Sequence, residues 1–147
     1  MERCRLGKTG MEVSRLGAGL AEIGSRLTLA EEKHASQILN LALDSGINFL
    51  DTAACYGTSE ELIGRTVAHR RDEYILSTKA GHAAGDYQGR SWTAETVRHS
   101  IERSLSRVKT DYLDVVHLHS CSVDVLERGD VIQVLQDAKQ AGKTRYI

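Results

Sequence analysis

The chain has 147 residues, enough to bury the core of one domain, and its 41% hydrophobic and 27% charged residues are typical of a globular protein. A net charge of −1 with acidic and basic residues interspersed excludes the basic surface of a nucleic-acid-binding or membrane-surface protein. The sequence contains neither the ~20-residue apolar stretch of a membrane span nor a signal peptide, so we expect a cytoplasmic protein without membrane or nucleic-acid partners.

The first fifteen residues predict a β-hairpin. Two short alternating segments, Arg3–Leu6 and Glu12–Arg15, flank the glycine-containing turn Gly7–Gly10. The rest of the chain repeats one pattern four times: a short apolar run, a loop, and a segment with the apolar spacing of a helix. We therefore predict one domain over residues 1–147, with the hairpin at 1–15 and four β/α units at 16–147.

The first unit begins with the apolar run Leu16–Gly19 and continues into a helix. Thr28 and Glu31 predict a capping box at the start of this helix, and Gly46 is predicted to end it. Its predicted buried stripe has the i, i+3, i+4, i+7 spacing and consists of Ala35, Ile38, Leu39 and Ala42.

The next two units follow the same plan. The run Ile47–Asp51 leads into a short helix that Ser59 is predicted to cap, with Glu60 in the first turn, where the helix dipole favours anions. The run Tyr74–Lys79 precedes a helix that begins near Thr93, and its predicted stripe consists of Val97, Ile101, Leu105 and Val108.

The fourth unit contains the run Leu113–Leu118 and a helix that begins near Asp130. Asp130 and Gln133 predict a second capping box, and Gly142 is predicted to end the helix. The predicted apolar face consists of Val131, Val134, Leu135 and Ala138. The last residues, Thr144–Ile147, have the composition of a fifth strand at its beginning.

Strands that alternate with helices predict an α/β protein whose parallel strands are joined by right-handed crossovers. Two architectures share this pattern, a doubly wound sheet and the first half of an eight-stranded barrel, and periodicity alone does not separate them. No GxGxxG or GxxxxGK[ST] motif follows any predicted strand, so the dinucleotide fingerprint and the P-loop are both absent.

Four chemically useful side chains follow the carboxyl ends of the predicted strands, where parallel α/β folds bind their ligands. They are Asp51, Tyr56, Lys79 and His119. Each has a structural alternative: a turn cap, a packed ring, a solvated cation or a structural histidine. Their convergence on one rim nevertheless favours a common site.

These four groups suit the reduction of a carbonyl, which requires a hydride on carbon and a proton on oxygen. A tyrosine hydroxyl has an ordinary pKa near ~10, and a neighbouring ammonium favours its phenolate form. We predict that Tyr56 donates the proton and that Lys79 promotes this step. Asp51 would hold Lys79 in place, and His119 would orient the substrate oxygen.

Several segments carry a resemblance to the aldo-keto reductases, and together they extend over nearly the whole chain. The most specific is the signature Asp51–Gly57 with the following Ser59, Glu60 and Gly64. The others resemble the family's opening hairpin and first strand, and the strands that deliver its lysine and histidine: Arg5–Gly10, Val13–Gly17, Ser77–Lys79 and Asp111–His119.

The resemblance implies a TIM-type (β/α)₈ barrel that reduces a small-molecule carbonyl with NADPH, of which this chain is the (β/α)₄ N-terminal half up to the start of strand five. It implies that Asp51, Tyr56, Lys79 and His119 are catalytic, and that Asp51 and Gly19 contact the cofactor. The family's histidine corresponds to His119, which follows the last apolar residue of its strand. The proline that often follows this histidine is replaced by Ser120 and Cys121.

A complete barrel takes ~250 residues, so the resemblance covers only the half without most of the family's cofactor contacts. Four strands leave two open edges and an apolar inner face, both of which favour association. We therefore expect a homodimer or higher homo-oligomer as the active form. The alternatives are a non-catalytic, self-associating half-barrel and a truncated reductase that does not bind NADPH.

The cysteines do not predict a disulfide framework, because Cys4, Cys55 and Cys121 are an odd number without CxxC spacing. Cys55 is predicted to be a packed or partly exposed free thiol, since no fixed cation clearly activates it. The alternating His117, His119 and Cys121 have the ligand types of a zinc site. A fourth ligand and a supporting carboxylate are missing at suitable spacing, so we predict no metal.

Overall fold

The structure, a computed structural model, describes all residues from Met1 to Ile147. Two short antiparallel strands form the N-terminal hairpin, β1 (Arg3–Arg5) and β2 (Glu12–Ser14). Five parallel strands form the main sheet: β3 (Ala18–Gly19), β4 (Phe49–Asp51), β5 (Ile75–Ala80), β6 (Leu113–Leu118) and β7 (Thr144–Tyr146). The helices are α1 (Ala21–Arg26), α2 (Glu32–Asp44), α3 (Ser59–Thr66), α4 (Ala94–Val108), α5 (Val123–Arg128) and α6 (Asp130–Gln140).

The order of the strands distinguishes between the two architectures that share the sequence pattern. The sheet follows chain order, β3-β4-β5-β6-β7, and every neighbouring pair is parallel. A doubly wound sheet reverses its strand order at a switch point and has helices on both faces. Here α2 packs against α3, α3 against α4, and α4 against α6, so the helices form one row outside a curved sheet. The prediction of a half-barrel is confirmed.

The two faces of the sheet have different roles. Leu50, Leu76 and Val116 are fully buried beneath the helices, in one continuous apolar core. Burial of each such side chain contributes roughly 1.5–3 kcal/mol. Successive side chains of a strand alternate between faces. Asp51, one residue after Leu50, and Lys79, three residues after Leu76, therefore point to the inner, concave face. The core thus holds the strands in the register that the site requires.

Helix α2 buries a different stripe from the one predicted. Ala35, Leu39 and Leu43 are buried, whereas Ile38 is 39% exposed. Asn40 accepts a hydrogen bond from an arginine that follows α3, and Ile38 lies about 200° around the helix from Asn40. The flank that carries Ile38 therefore faces away from α3. No helix of the chain has both the length and the apolar content that a bilayer crossing needs.

Two of the predicted helix caps are wrong, and one is confirmed in part. The Glu31 carboxylate accepts the backbone N–H of Thr28 at 2.9 Å, but the two residues begin a short 3-10 turn ahead of α2. Ser59 is the first residue of α3 and does not cap it, because its hydroxyl pairs with a buried threonine of the preceding loop. Gln133 bonds to Asp137 in the next turn of α6, which starts after a glycine. Helix α5 was not predicted.

The N-terminal hairpin closes the amino-terminal end of the sheet. Asn48, just before β4, accepts the backbone N–H of Ser14 at 2.6 Å and donates to the carbonyl of Glu12 at 3.0 Å. At the other edge, the hydroxyl of Tyr146 in β7 donates to the carbonyl of Thr9. These bonds connect the hairpin to both sides of the half-barrel and leave the carboxyl ends of the strands open.

The contact between α3 and α4 depends on a glycine. A Cβ atom on Gly64 would lie 1.9 Å from the backbone oxygen of Arg107 in α4. This distance is far shorter than any non-bonded contact, so a side chain at this position must push the two helices apart. The backbones meet this closely only because residue 64 has no side chain.

We expect Gly64→Ala to lower the free energy of unfolding by about 1–3 kcal/mol, the usual range for overpacking a buried site, when measured by urea denaturation. The control is Gly19→Ala, because a Cβ atom there would meet nothing within 4 Å. The control should stay within about 0.5 kcal/mol of the unmodified chain. Equal losses in both variants would show that the close helix contact does not limit stability.

Candidate functional site

A partly buried ion pair lies at the open end of the sheet. Lys79 of β5 places its Nζ 2.6 Å from Oδ2 of Asp51, the last residue of β4, and donates to the carbonyl of Thr52 at 2.9 Å. The second carboxylate oxygen of Asp51 accepts a hydrogen bond from Ser77 at 3.0 Å. Parallel register makes Asp51 the lateral neighbour of Ser77, so the strands themselves bring these groups together. The ammonium is held in one position by two acceptors.

Tyr56 lies above this ion pair, on the loop between β4 and α3. The Nζ of Lys79 is 5.0 Å from the centroid of the Tyr56 ring. The ring of His119 meets the same tyrosine edge-on, with centroids 5.7 Å apart and planes at 82°. The four residues predicted from the sequence, Asp51, Tyr56, Lys79 and His119, therefore form one cluster.

Close packing of two loops fixes the backbone of Tyr56. A Cβ atom on Gly24 would lie 1.9 Å from the backbone oxygen of Tyr56, and one on Gly57 would lie 2.2 Å from the backbone oxygen of Gly24. Below the loop, the guanidinium of Arg103 in α4 donates to the carbonyl of Ala54 at 3.0 Å. The tyrosine is thus placed by its neighbours on both sides.

His119 is held at the end of β6 by backbone and aromatic contacts. The backbone N–H of His119 donates to the carbonyl of Ala80 at 2.9 Å, and its backbone carbonyl accepts the indole N–H of Trp92 at 2.9 Å. The His82 ring lies edge-on to both His119 and Trp92, at centroid distances of 4.7 and 4.8 Å. Partial burial lowers the pKa of His119, and the neighbouring His82 and Lys79 lower it further, so the imidazole favours its neutral form.

The other candidates from the sequence take separate positions. Gly19 ends β3 beside Asp51, whose backbone carbonyl accepts the backbone N–H of Leu20 at 2.8 Å. His117 is exposed on the inner face as the register neighbour of Lys79. No group of three or more histidine, cysteine or acidic side chains converges as a metal site would require, and this includes His117, His119 and Cys121.

The sequence patterns gave no role in the site to four residues that support it, namely Glu60, His82, Trp92 and Arg103. The contacts of His82, Trp92 and Arg103 with the site join loops and helices distant in the sequence, so no local pattern predicts these contacts. Glu60 belongs to the signature that carries the resemblance, and its predicted place in the first turn of α3 is confirmed. The helix-dipole argument does not predict that its side chain is buried.

Glu60 is a buried acid beneath the site, with only 1% of its surface exposed. The hydroxyl of Thr78 in β5 donates to Oε1 at 2.7 Å, whereas Oε2 has no hydrogen-bond partner. Burial raises the pKa of Glu60 because the carboxylate has lost its hydration, although the hydroxyls of Ser104 and Thr78 and the arginines of α4 oppose this. Folding therefore favours the protonated form of this side chain.

We expect the contribution of Glu60 to the stability of the chain to fall as pH rises above the ordinary glutamate pKa of about 4.3. Above this pH the unfolded chain releases the Glu60 proton while the folded chain retains it, so the unfolded state is stabilised relative to the folded state. Urea unfolding between pH 4 and 8, compared with Glu60→Gln, measures the effect; the variant should lose this part of the slope. Glu61→Gln, the adjacent half-buried position, is the control and should keep it.

Comparison with known proteins identifies a family model that matches residues 15–147, described as the aldo/keto reductase family. The chain is 38% identical over 149 residues to L-galactose dehydrogenase of Arabidopsis thaliana, which covers 97% of this chain and 46% of that protein. It is 35% identical over 158 residues to aldo-keto reductase YhdN of Bacillus subtilis, with 100% of this chain and 46% of that protein covered.

Solved structures give the same result. An aldo-keto reductase from Pseudomonas aeruginosa superposes with a TM-score of 0.87 at 36% identity, covering 98% of this chain and 58% of that one. The holo form of aldo-keto reductase AKR11C1 from Bacillus halodurans gives 0.84 at 30% identity, with 99% and 49% covered. The chain thus spans about half the length of the relatives that it matches.

Proposed function

The chain belongs to the aldo/keto reductase family, and we propose that it supplies the catalytic groups of an NADPH-dependent reductase that converts a small-molecule carbonyl to an alcohol. The observation that carries this proposal is the cluster at the open end of the sheet. There a phenol ring lies 5.0 Å from an ammonium and edge-on to an imidazole, and the ammonium is paired with a carboxylate at 2.6 Å.

The proposed roles follow from charge and position. Tyr56 donates its hydroxyl proton to the carbonyl oxygen, and the phenolate that remains is stabilised by the positive charge of Lys79. Asp51 and the carbonyl of Thr52 hold that ammonium in place. His119, favoured in its neutral form, donates a ring N–H to the substrate oxygen and orients it for the proton transfer.

The residues present fit part of a cofactor site. Bound NADPH would supply the hydride that the carbonyl carbon accepts. Gly19 leaves the region beside Asp51 open, since even an added Cβ atom would meet nothing within 4 Å there. We propose that Gly19 and the Asp51 carboxylate contact the nicotinamide end of the cofactor. None of the candidate residues would contact the rest of NADPH.

We propose that a second copy of the chain supplies the remaining contacts. The β3 and β7 strands each have one unpaired edge, which is a template for pairing with another chain. The proposed active form is a homodimer or higher homo-oligomer in the cytoplasm. The competing function is a self-associating half-barrel with an inherited but inactive cluster, and NADPH binding distinguishes the two.

We expect Tyr56→Phe to reduce carbonyl reduction by about 10²-fold or more, because the variant lacks the proton donor. The assay is NADPH oxidation with a panel of aldehydes and ketones, and NADPH fluorescence titration should show that cofactor binding persists. The control is Tyr112→Phe, since Tyr112 precedes β6 at the opposite end of the sheet. An active Tyr56→Phe variant removes Tyr56 as the proton donor. If the unmodified chain shows no saturable NADPH binding, the result favours the inactive scaffold.

The oligomer proposal has its own measurement. Light scattering at micromolar concentration, with and without NADPH, should give a mass of at least twice 16.2 kDa. Pairing of the open edges of β3 and β7 is the physical reason. A monodisperse monomer under both conditions would exclude this assembly.

A further inference from the structure

A thiol meets the imidazole of His119 at the candidate site. The Sγ of Cys55 lies 3.4 Å from Nδ1 of His119, although the two residues are 64 positions apart in sequence. We propose that Cys55 is a positioning residue that donates its S–H to Nδ1 of His119, fixing the tautomer whose Nε2–H is available to the substrate oxygen. The inference rests on the proposed function for its consequence in catalysis, while the hydrogen bond itself is independent of turnover.

The direction of the hydrogen bond follows from the protonation of the two partners. Burial raises the pKa of Cys55, so the thiol retains its proton at neutral pH. The pKa of His119 is lowered by its own burial and by the adjacent His82 and Lys79, so its ring carries one proton. A neutral thiol is a weak acceptor, whereas the unprotonated nitrogen of imidazole is a good one. The favoured arrangement therefore has the proton on sulfur pointing to Nδ1.

No other side chain competes for this nitrogen. Cys55 is the only hydrogen-bond partner of the His119 ring in the chain, and the aromatic neighbours Tyr56 and His82 meet that ring edge-on. When one imidazole nitrogen accepts a hydrogen bond, the proton must reside on the other. Nε2 is then the donor, which is the atom that a carbonyl substrate needs.

The thiol is held in position by its own loop. The residue before Cys55 has its N–H bonded to the carbonyl of Lys79 at 3.1 Å and its carbonyl bonded to Arg103 at 3.0 Å. The residue after it, Tyr56, donates its N–H to the carbonyl of Ala53 at 3.0 Å. The backbone on both sides of Cys55 is thus fixed, so the contact between sulfur and nitrogen is a built feature of the loop. One loop carries the proton donor and the group that orients the substrate-binding imidazole.

The test measures the tautomer directly. Long-range ¹H–¹⁵N correlation spectra of the ¹⁵N-labelled full chain report both ring nitrogens of His119, with assignment from His119→Gln. At a pH where the ring is neutral, the unmodified chain should have its proton on Nε2. In Cys55→Ala the ratio of the Nε2–H to the Nδ1–H form should fall by at least about twofold, which corresponds to the lower end, about 0.5 kcal/mol, of a neutral hydrogen bond.

Two further variants separate the hydrogen bond from general packing. Cys55→Ser keeps a donor and should restore the ratio. Cys121→Ala is the matched control, because Cys121 is also a half-buried free thiol close to His119 in sequence, and it should leave the ratio unchanged.

A proton on Nδ1 in the unmodified chain would overturn the inference. So would an unchanged ratio in Cys55→Ala, or an equal change in Cys121→Ala. In a Cys4→Ala, Cys121→Ala double variant, which keeps the site residues, the remaining S–H stretching band belongs to Cys55 and should be shifted as a donating thiol requires. None of these outcomes requires NADPH or turnover, so the inference can fail while the reductase proposal stands, and the reverse.

Discussion

The ion pair between Lys79 and Asp51 is the interaction on which the candidate site depends. Its two members come from adjacent parallel strands, and the 2.6 Å separation of their charged atoms follows from the register that aligns Asp51 with Ser77. A partly buried ammonium without a fixed anion would lose hydration without compensation, and a mobile one would not keep its charge beside a phenol ring. The apolar core on the other face sets the strand register, and the register therefore fixes where the charges of Lys79 and Asp51 lie in the site.

The rest of the site is positioned against this pair by contacts that tolerate little change. Gly24 and Gly57 bring the loop of Tyr56 against the first loop at distances that no side chain permits. Arg103 anchors the same loop from below, although desolvation lowers the pKa of its guanidinium, with neighbouring Arg107 contributing. Burying a cation in this way costs stability, and so does burying the Glu60 side chain with one oxygen unpartnered.

Apolar periodicity predicted the alternating strands and helices because it reports burial of one face, but the choice of a half-barrel over a doubly wound sheet came from the family resemblance. The run Leu113–Leu118 matches β6 without correction. Prediction from local pattern failed where a polar side chain has a tertiary partner in place of a local one. Ser59 bonds to the preceding loop, and the Glu60 side chain is buried in the core. Ile38 shows the same limit for an apolar residue, since helical spacing does not indicate which flank of α2 lacks a neighbour.

The contacts of His119 extend this argument to the chemistry. Residue types at strand ends were sufficient to predict that His119 belongs with Tyr56 and Lys79, but the state of its ring depends on neighbours that no local pattern connects. Burial and His82 favour the neutral ring, and only Cys55 is close enough to distinguish one nitrogen from the other. A neutral imidazole has one N–H to offer, so its usefulness to a carbonyl oxygen depends on which nitrogen carries it. The residue next to the proposed proton donor therefore determines whether the histidine can act with it.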